Sequence, residues 1–245
     1  SLEDNTASDI TAVGAHSLKN NTSGSFNTAV GHQSLFSNTT GWKNVAIGDS
    51  ALYSASSADN DWNVAVGYEA LYANSNGGYN TAVGGNALRQ NTSGSYNTSI
   101  GLGSLGDNTT GISNVAVGAN ALDKNTTGSS NVAVGRHALL INTTGGSNVA
   151  VGHFSLYYNT EGDYNTAIGR EALEANTTGS YNVAIGYRAL PSSNSASNQI
   201  VIGYQATGQA DNSVVLGNSN VTAVYMAEDS GATIYAGNAT FGGDV

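Results

Sequence analysis

The stretch Asn114-Val115-Ala116-Val117-Gly118-Ala119-Asn120-Ala121-Leu122-Asp123-Lys124-Asn125-Thr126-Thr127-Gly128-Ser129-Ser130 is one unit of a repeat that runs through almost the whole chain. Its Gly118 belongs to the series Gly14, Gly31, Gly48, Gly67, Gly84, Gly101, Gly118, Gly135, Gly152, Gly169, Gly186 and Gly203. Every step is 17 residues except Gly48 to Gly67, which is 19, and a last step of 14 leads from Gly203 to Gly217. The apolar run before each Gly is only Thr or Val, then Ala, then Val or Ile. That is too short for a helix and rich in β-branched residues. Gly and an Asn-Thr-Thr-Gly turn punctuate each unit, and helical repeats need about 33 residues or more. The unit therefore predicts one coil of a parallel β-solenoid, an all-β fold, with two short strands and two turns per coil. About twelve coils at the strand spacing make a rod on the order of 58 Å long.

The columns of the repeat predict which side chains point inward. One residue before each Gly stands Val, Ile or Leu (Val13, Val30, Ile47, Val66, through Leu216), and three before stands Thr, Val or Ile. Strand alternation puts these two on one face, expected inside with the Leu four after Gly (Leu18, Leu35, Leu52, Leu71, onward to Leu190). The residue between them is small: Ala29, Ala46, Ala65, Ala82, Ser99, Ala116, Ala133, Ala150, Ala167 and Ala184. Placed on the opposite face, such a column predicts close approach of another backbone. Either β-roll crowding within one chain or packing against identical chains around a symmetry axis satisfies it, and we expect the second. Asn four before Gly (Asn27, Asn44, Asn63, Asn80, Asn97, Asn114) is expected to form a hydrogen-bonded amide ladder.

Within the 245 residues, residues 1–8 lead into the first coil and 9–197 carry the long repeats, with a 19-residue unit and its loop at 54–60. Residues 198–226 carry the shorter 14-residue form, and 227–245 depart from the repeat as a β-neck or linker. Charged residues are only 10%, so Asn, Ser, Thr and Gly must cover the surface. Seven Lys and Arg against a net charge of −10 argue against a nucleic-acid partner. The chain has no cysteine, hence no disulfide and no thiolate metal site. No apolar run is long enough for a membrane-spanning helix, so no membrane insertion is expected. The start, Ser1-Leu2-Glu3-Asp4, lacks an initiator Met and a signal pattern, as expected for a processed or excised piece of something longer.

These units resemble the head repeats of trimeric autotransporter adhesins and of phage tail fibres. Asn212-Ser213-Val214-Val215-Leu216-Gly217 is similar to the adhesin-type 14-residue form. Asn27-Thr28-Ala29-Val30-Gly31, followed by Ser34-Leu35 and Asn38-Thr39-Thr40-Gly41, resembles repeats found upstream of endosialidase-type intramolecular chaperone domains. The resemblance covers about residues 9 to 226. It implies a homotrimer of left-handed parallel β-rolls, extracellular, on a virion tail fibre or a bacterial surface. It also implies contact with a bacterial cell-surface glycan or protein. The Ala column listed above would then be the trimer interface.

No catalytic, metal or cofactor site is expected. His16, His32, His137 and His153 fall one or two after the Gly, in variable positions read as solvated surface, with no carboxylate pair at catalytic spacing. The calcium nonapeptide of secreted β-rolls and a phosphate-binding Gly loop are both absent. Asn21, Asn38, Asn91, Asn108, Asn125, Asn142 and Asn176 match glycosylation sequons, but Asn, Thr and Gly are also what the turn requires. A Thr ladder binding ice is a minor alternative.

The candidate receptor-binding residues are aromatic. Five before Gly stand Phe26, Lys43, Trp62, Tyr79 and Tyr96, then Ser113, Ser130 and Ser147, then Tyr164 and Tyr181. Five after Gly stand Phe36, Tyr53, Tyr72 and Tyr157. Exposed rings are platforms for sugar faces and binding anchors, though they could equally fill grooves between chains. The loop at 54–60 lies beside Trp42, Asp59, Asp61 and Trp62 and is the first choice for a contact site; strain relief is its other reading. The function expected is a non-enzymatic, cofactor-free fibre or adhesin segment that contacts cell surfaces. A purely structural spacer is the alternative from another class.

Overall fold

A computed structural model describes residues 6–56, 61–222 and 224. The described residues form an all-β parallel solenoid of about twelve turns with no helix. Strands β1 to β13 are Thr11–Val13, Thr28–Val30, Val45–Ile47, Val64–Val66, Thr81–Val83, Thr98–Ile100, Val115–Val117, Val132–Val134, Val149–Val151, Thr166–Ile168, Val183–Ile185, Ile200–Ile202 and Val214–Leu216. They make one sheet in chain order, each strand parallel to the next. Register sets each repeat position on the same position of the next coil: Val115 pairs with Val132, Ala116 with Ala133, Val117 with Val134.

Each coil carries one strand, not the two expected. In most coils three non-glycine residues adopt positive φ, in the quoted unit Asn120 (+53°), Leu122 (+55°) and Ser130 (+60°). Such left-handed residues interrupt an extended segment. Backbone bonds still run from coil to coil there, as from the Leu122 N–H to the Ala138 carbonyl at 2.9 Å. Gly118 is obligatory for two reasons. Its φ is +134°, and an added Cβ would lie 2.7 Å from the Gly135 carbonyl of the next coil.

The faces of the strand are the reverse of the expectation. The column from Ala29 to Ala184, Ser99 included, is wholly buried and belongs to the core with the Leu column, while Ile47, Val83, Ile100, Val134, Val151, Ile168, Ile185 and Ile202 are exposed. A column buried inside one chain cannot be the surface through which chains meet. The reason is width. Tight turns at the positive-φ residues bring the far wall so near that one Leu and a few methyl groups fill the section, and Val or Ile from the strand would overpack it; Val201 is buried in the same column in the coil where Thr207 stands in place of the Leu. The Leu column points inward as expected, with ten Leu from Leu18 to Leu173 fully buried. At Ser99 the odd hydroxyl is matched by another, since its Oγ lies 2.5 Å from the Ser104 Oγ across the interior.

Two ladders of buried Asn complete the interior. In the expected one, Asn114 Oδ1 accepts the Asn131 backbone N–H at 3.0 Å, and Asn114 Nδ2 donates to the Gly128 carbonyl at 2.9 Å. The second runs through the turn. Asn125 Nδ2 donates to Asn108 Oδ1 at 2.8 Å and to the Gly128 carbonyl at 2.9 Å. Buried amides so paired hold each coil to the next instead of weakening the core.

Candidate functional site

With Ala and Asn inside, function is left to the outward columns, and three of these are distinctive. The first is the exposed Val and Ile stripe one residue before the Gly, flanked by the half-buried Thr or Val three before it. Together they make a flat β-branched surface along the whole sheet.

The second is the corner column five before Gly, where every side chain stands on a left-handed residue, such as Tyr79 (+60°) and Tyr96 (+60°). That turn throws the ring outward, and Tyr96 is 61% exposed. The rings nevertheless stack on one another. Tyr79 and Tyr96 lie 5.0 Å apart at 6°, and Tyr164 and Tyr181 lie 5.2 Å apart at 5°. The separation matches the strand spacing, so faces are spent along the rod and edges meet solvent. Lys43 fills the next rung, its Nζ 4.1 Å from the ring centres of both Trp42 and Trp62. This cation–π sandwich covers part of both indoles. Asp61 has a structural task, as its Oδ1 accepts the Trp42 backbone N–H at 2.8 Å. Ser129 does the same for Ile112, and Asp163 for Gly146. Asp59 and the rest of 57–60 lie outside the described residues, as does 227–245.

The third is the column five after Gly. Phe36, Tyr53 and Tyr72 form a half-buried stack with centres 5.0 and 5.1 Å apart, ended by Lys19 at 5.5 Å from Phe36 and the Arg89 guanidinium at 5.7 Å from Tyr72. The proposed receptor residues thus fall into two groups. Trp42, Asp61 and Trp62 share one corner with Tyr79 and Tyr96, while Tyr53 and Tyr72 form the other stack.

Ionisable groups concentrate where sequence reading did not look. The Tyr68 hydroxyl donates to Glu69 Oε1 at 2.8 Å, and Arg89 Nε donates to Glu69 Oε2 at 2.5 Å. The Arg89 hydrogen bond holds the Glu69 carboxyl below the usual carboxylate range, and Glu69 in turn raises Arg89 and Tyr68. One coil further, Lys124 Nζ lies 2.9 Å from Asp107 Oδ2 and 3.1 Å from Asp123 Oδ2. Burial pushes the Asp123 carboxyl up. The only sequence signal for this patch is Gly103 and Gly106, in columns that elsewhere carry side chains.

His32 Nδ1 lies 3.2 Å from Asp49 Oδ1, which lowers the Asp49 carboxyl, and both side chains are about half exposed at 52%. His137 and His153 are half-buried, not fully solvated as expected, and each packs on Phe154, with ring centres at 5.2 and 4.0 Å. Among the described residues no group of three His, Cys, Asp or Glu is placed to hold a metal ion. The sequon asparagines are buried with their amides donated to backbone, as at Asn125, which leaves no room for a glycan on the folded coil. The first Thr of the turn donates its hydroxyl proton to the next coil, as from Thr109 to the Thr126 carbonyl at 2.9 Å, so that column is not a lattice of free hydroxyls. No protein-family model matches the chain, and neither does any curated protein or solved structure.

Proposed function

We propose that this chain is a non-enzymatic, extracellular fibre or adhesin segment, of the kind found in phage tail fibres, that assembles with copies of itself and contacts a bacterial cell-surface receptor. The exposed Val and Ile stripe carries the reading. Apolar surface continuous over so many strands marks an interaction face. A partner must repeat at the same ~4.8 Å spacing to pack on it rung by rung, and a second copy of this chain does so. Three copies and a left-handed winding follow from the resemblance to adhesin and tail-fibre repeats. The interface then lies on the Val and Ile column in place of the Ala column, and the aromatic corner with Trp62, Tyr79 and Tyr96 stays available for a receptor, a glycan being the first choice.

Sedimentation equilibrium is expected to give three times the chain mass. Val117→Lys combined with Ile168→Lys is expected to give a folded monomer, because both side chains point outward from the coil. A wild-type chain that stays monomeric at tens of micromolar sinks the assembly. Binding to whole bacteria is expected to fall when Trp62 and Tyr79 are replaced by Ala; unchanged binding removes the aromatic corner as the contact.

A further inference from the structure

The regular surface is interrupted at Gly103 and Gly106, on the side that carries the Glu69–Arg89 and Lys124 ion pairs. Two residues after the repeat Gly, the coils flanking Gly103 carry Asn86 and Asn120; five after it, the coils flanking Gly106 carry Arg89 and Asp123. The coil between them has no side chain in either column, and the result is a notch of about 420 Å³. Side chains of the next coil lean over it. An added Cβ at Gly103 would meet Asn120 Oδ1 at 2.6 Å, and one at Gly106 would meet Asp123 Oδ1 at 2.4 Å. The notch falls within the ~300–1,000 Å³ range of small-molecule sites.

Its walls are held before any ligand arrives. Tyr68 is fixed at the rim by its hydroxyl bond to Glu69, and Arg89 is fixed by Glu69 on one side and the Tyr72 ring on the other. Asp107 and Asp123 share Lys124. Among the described residues, the side-chain amides of Asn86 and Gln90, which also line the notch, make no hydrogen bond. The site therefore has an aromatic rim, unused amides and a charge that is nearly balanced. An incoming phosphate would face three carboxylates, and a metal ion would have to displace Lys124. A neutral polyhydroxylated ligand meets neither obstacle. Its vicinal hydroxyls match planar amides, carboxylates and a guanidinium, each able to bond two neighbouring oxygens.

We propose that this notch is a binding site for a neutral saccharide of mono- or disaccharide size. The Tyr68 ring packs against the sugar, while Asn86, Gln90, Arg89 and Asp123 take its hydroxyls. It shares with the receptor reading only the class of ligand, and it lies in different columns from Trp62 and Tyr79.

The test is chemical-shift titration of the intact chain with glucose, N-acetylglucosamine, galactose, lactose and maltose, and with inorganic phosphate and calcium as contrasts. At least one sugar is expected to give saturable shifts at Tyr68, Asn86 and the Arg89 side chain. Gly103→Asn with Gly106→Tyr fills the notch using residue types that the same columns carry in other coils, and is expected to weaken binding at least tenfold at an unchanged melting midpoint. Should that variant fold poorly, Tyr68→Ala, an exposed change, is expected to weaken it several-fold. The proposal is overturned if no sugar in the panel gives saturable shifts, if binding survives both changes, or if phosphate or calcium is what binds. Trp62→Ala with Tyr79→Ala is expected to leave these titrations unchanged. Loss of whole-cell binding in that variant alone, or of sugar binding in the notch variants alone, separates the failure of one reading from that of the other.

Discussion

The coils around Asn125 and the coils around Asn38 use the same turn, yet only the first is complete. Asn125 donates to Asn108 and to the Gly128 carbonyl, and its own Oδ1 accepts from Asn142 at 2.8 Å. Asn38 donates likewise to Asn21 at 2.7 Å and to the Gly41 carbonyl at 3.0 Å, but its Oδ1 is buried without a partner. The next coil is the 19-residue one, and the position that should carry the next Asn is Ala55. The strand-side ladder passes through the same place unbroken, with the Asn63 N–H donating to Asn44 Oδ1 at 2.9 Å. Two extra residues thus cost one rung on one side of the coil and none on the other. The strand side holds register; the turn side absorbs change.

The largest test of that contrast is removal of a complete rung. Asn125→Ala deletes two donated bonds and leaves Asn108 Oδ1 buried without its donor, a loss expected at about 2–3 kcal/mol. Asn38→Ala removes an amide whose carbonyl oxygen is already idle, and is expected to cost about 1 kcal/mol less. Denaturant melts of the two variants measure the difference, and equal losses would mean that the missing rung carries no energy. A smaller effect sharpens the contrast from the other direction. Ala55→Asn supplies a donor for Asn38 Oδ1 and is expected to stabilise by about 0.5–1.5 kcal/mol, read as a higher melting midpoint. No gain would show that the longer coil holds residue 55 out of line with its column.

The smallest effect belongs to the complete region. Burial, reinforced by Arg136 and His153, lowers the His137 imidazole, so the folded coil disfavours its charged form. Its contribution is intact above the ordinary His value of about 6.5 and is lost as pH falls below it. An NMR titration is expected to place His137 below that value, and an ordinary midpoint would show that the ring swings free of Phe154.

The solenoid was legible in the Gly series because only a coil returning to the same place needs a glycine every 17 residues. Which way the strand faces was legible too, but in the wrong column. Asn114 and Ala116 are two apart and so share a face. An Asn ladder protected from water belongs inside, and it takes Ala116 with it. Judging the strand by hydrophobicity alone sent Val117 inward instead. The aromatic columns could be named from their spacing, but not the stacking that turns the faces of Tyr79 and Tyr96 along the rod, since ring orientation depends on a left-handed turn. The notch went unread because Gly103 and Gly106 look like ordinary glycines until the side chains of the flanking coils are set beside them.

The pairing of each column with itself, Ala116 on Ala133 and Asn108 on Asn125, has a consequence for inheritance. Removal or duplication of one whole 17-residue unit, wherever the cut falls within it, rejoins every column to itself and yields a rod shorter or longer by one strand spacing, about 4.8 Å. A gain or loss of any other size must be taken up in the turn, as the two extra residues between Gly48 and Gly67 are, or it throws the glycines of one coil against the side chains of the next. Length in this protein is therefore a counted quantity, open to recombination between neighbouring units and closed to most other insertions.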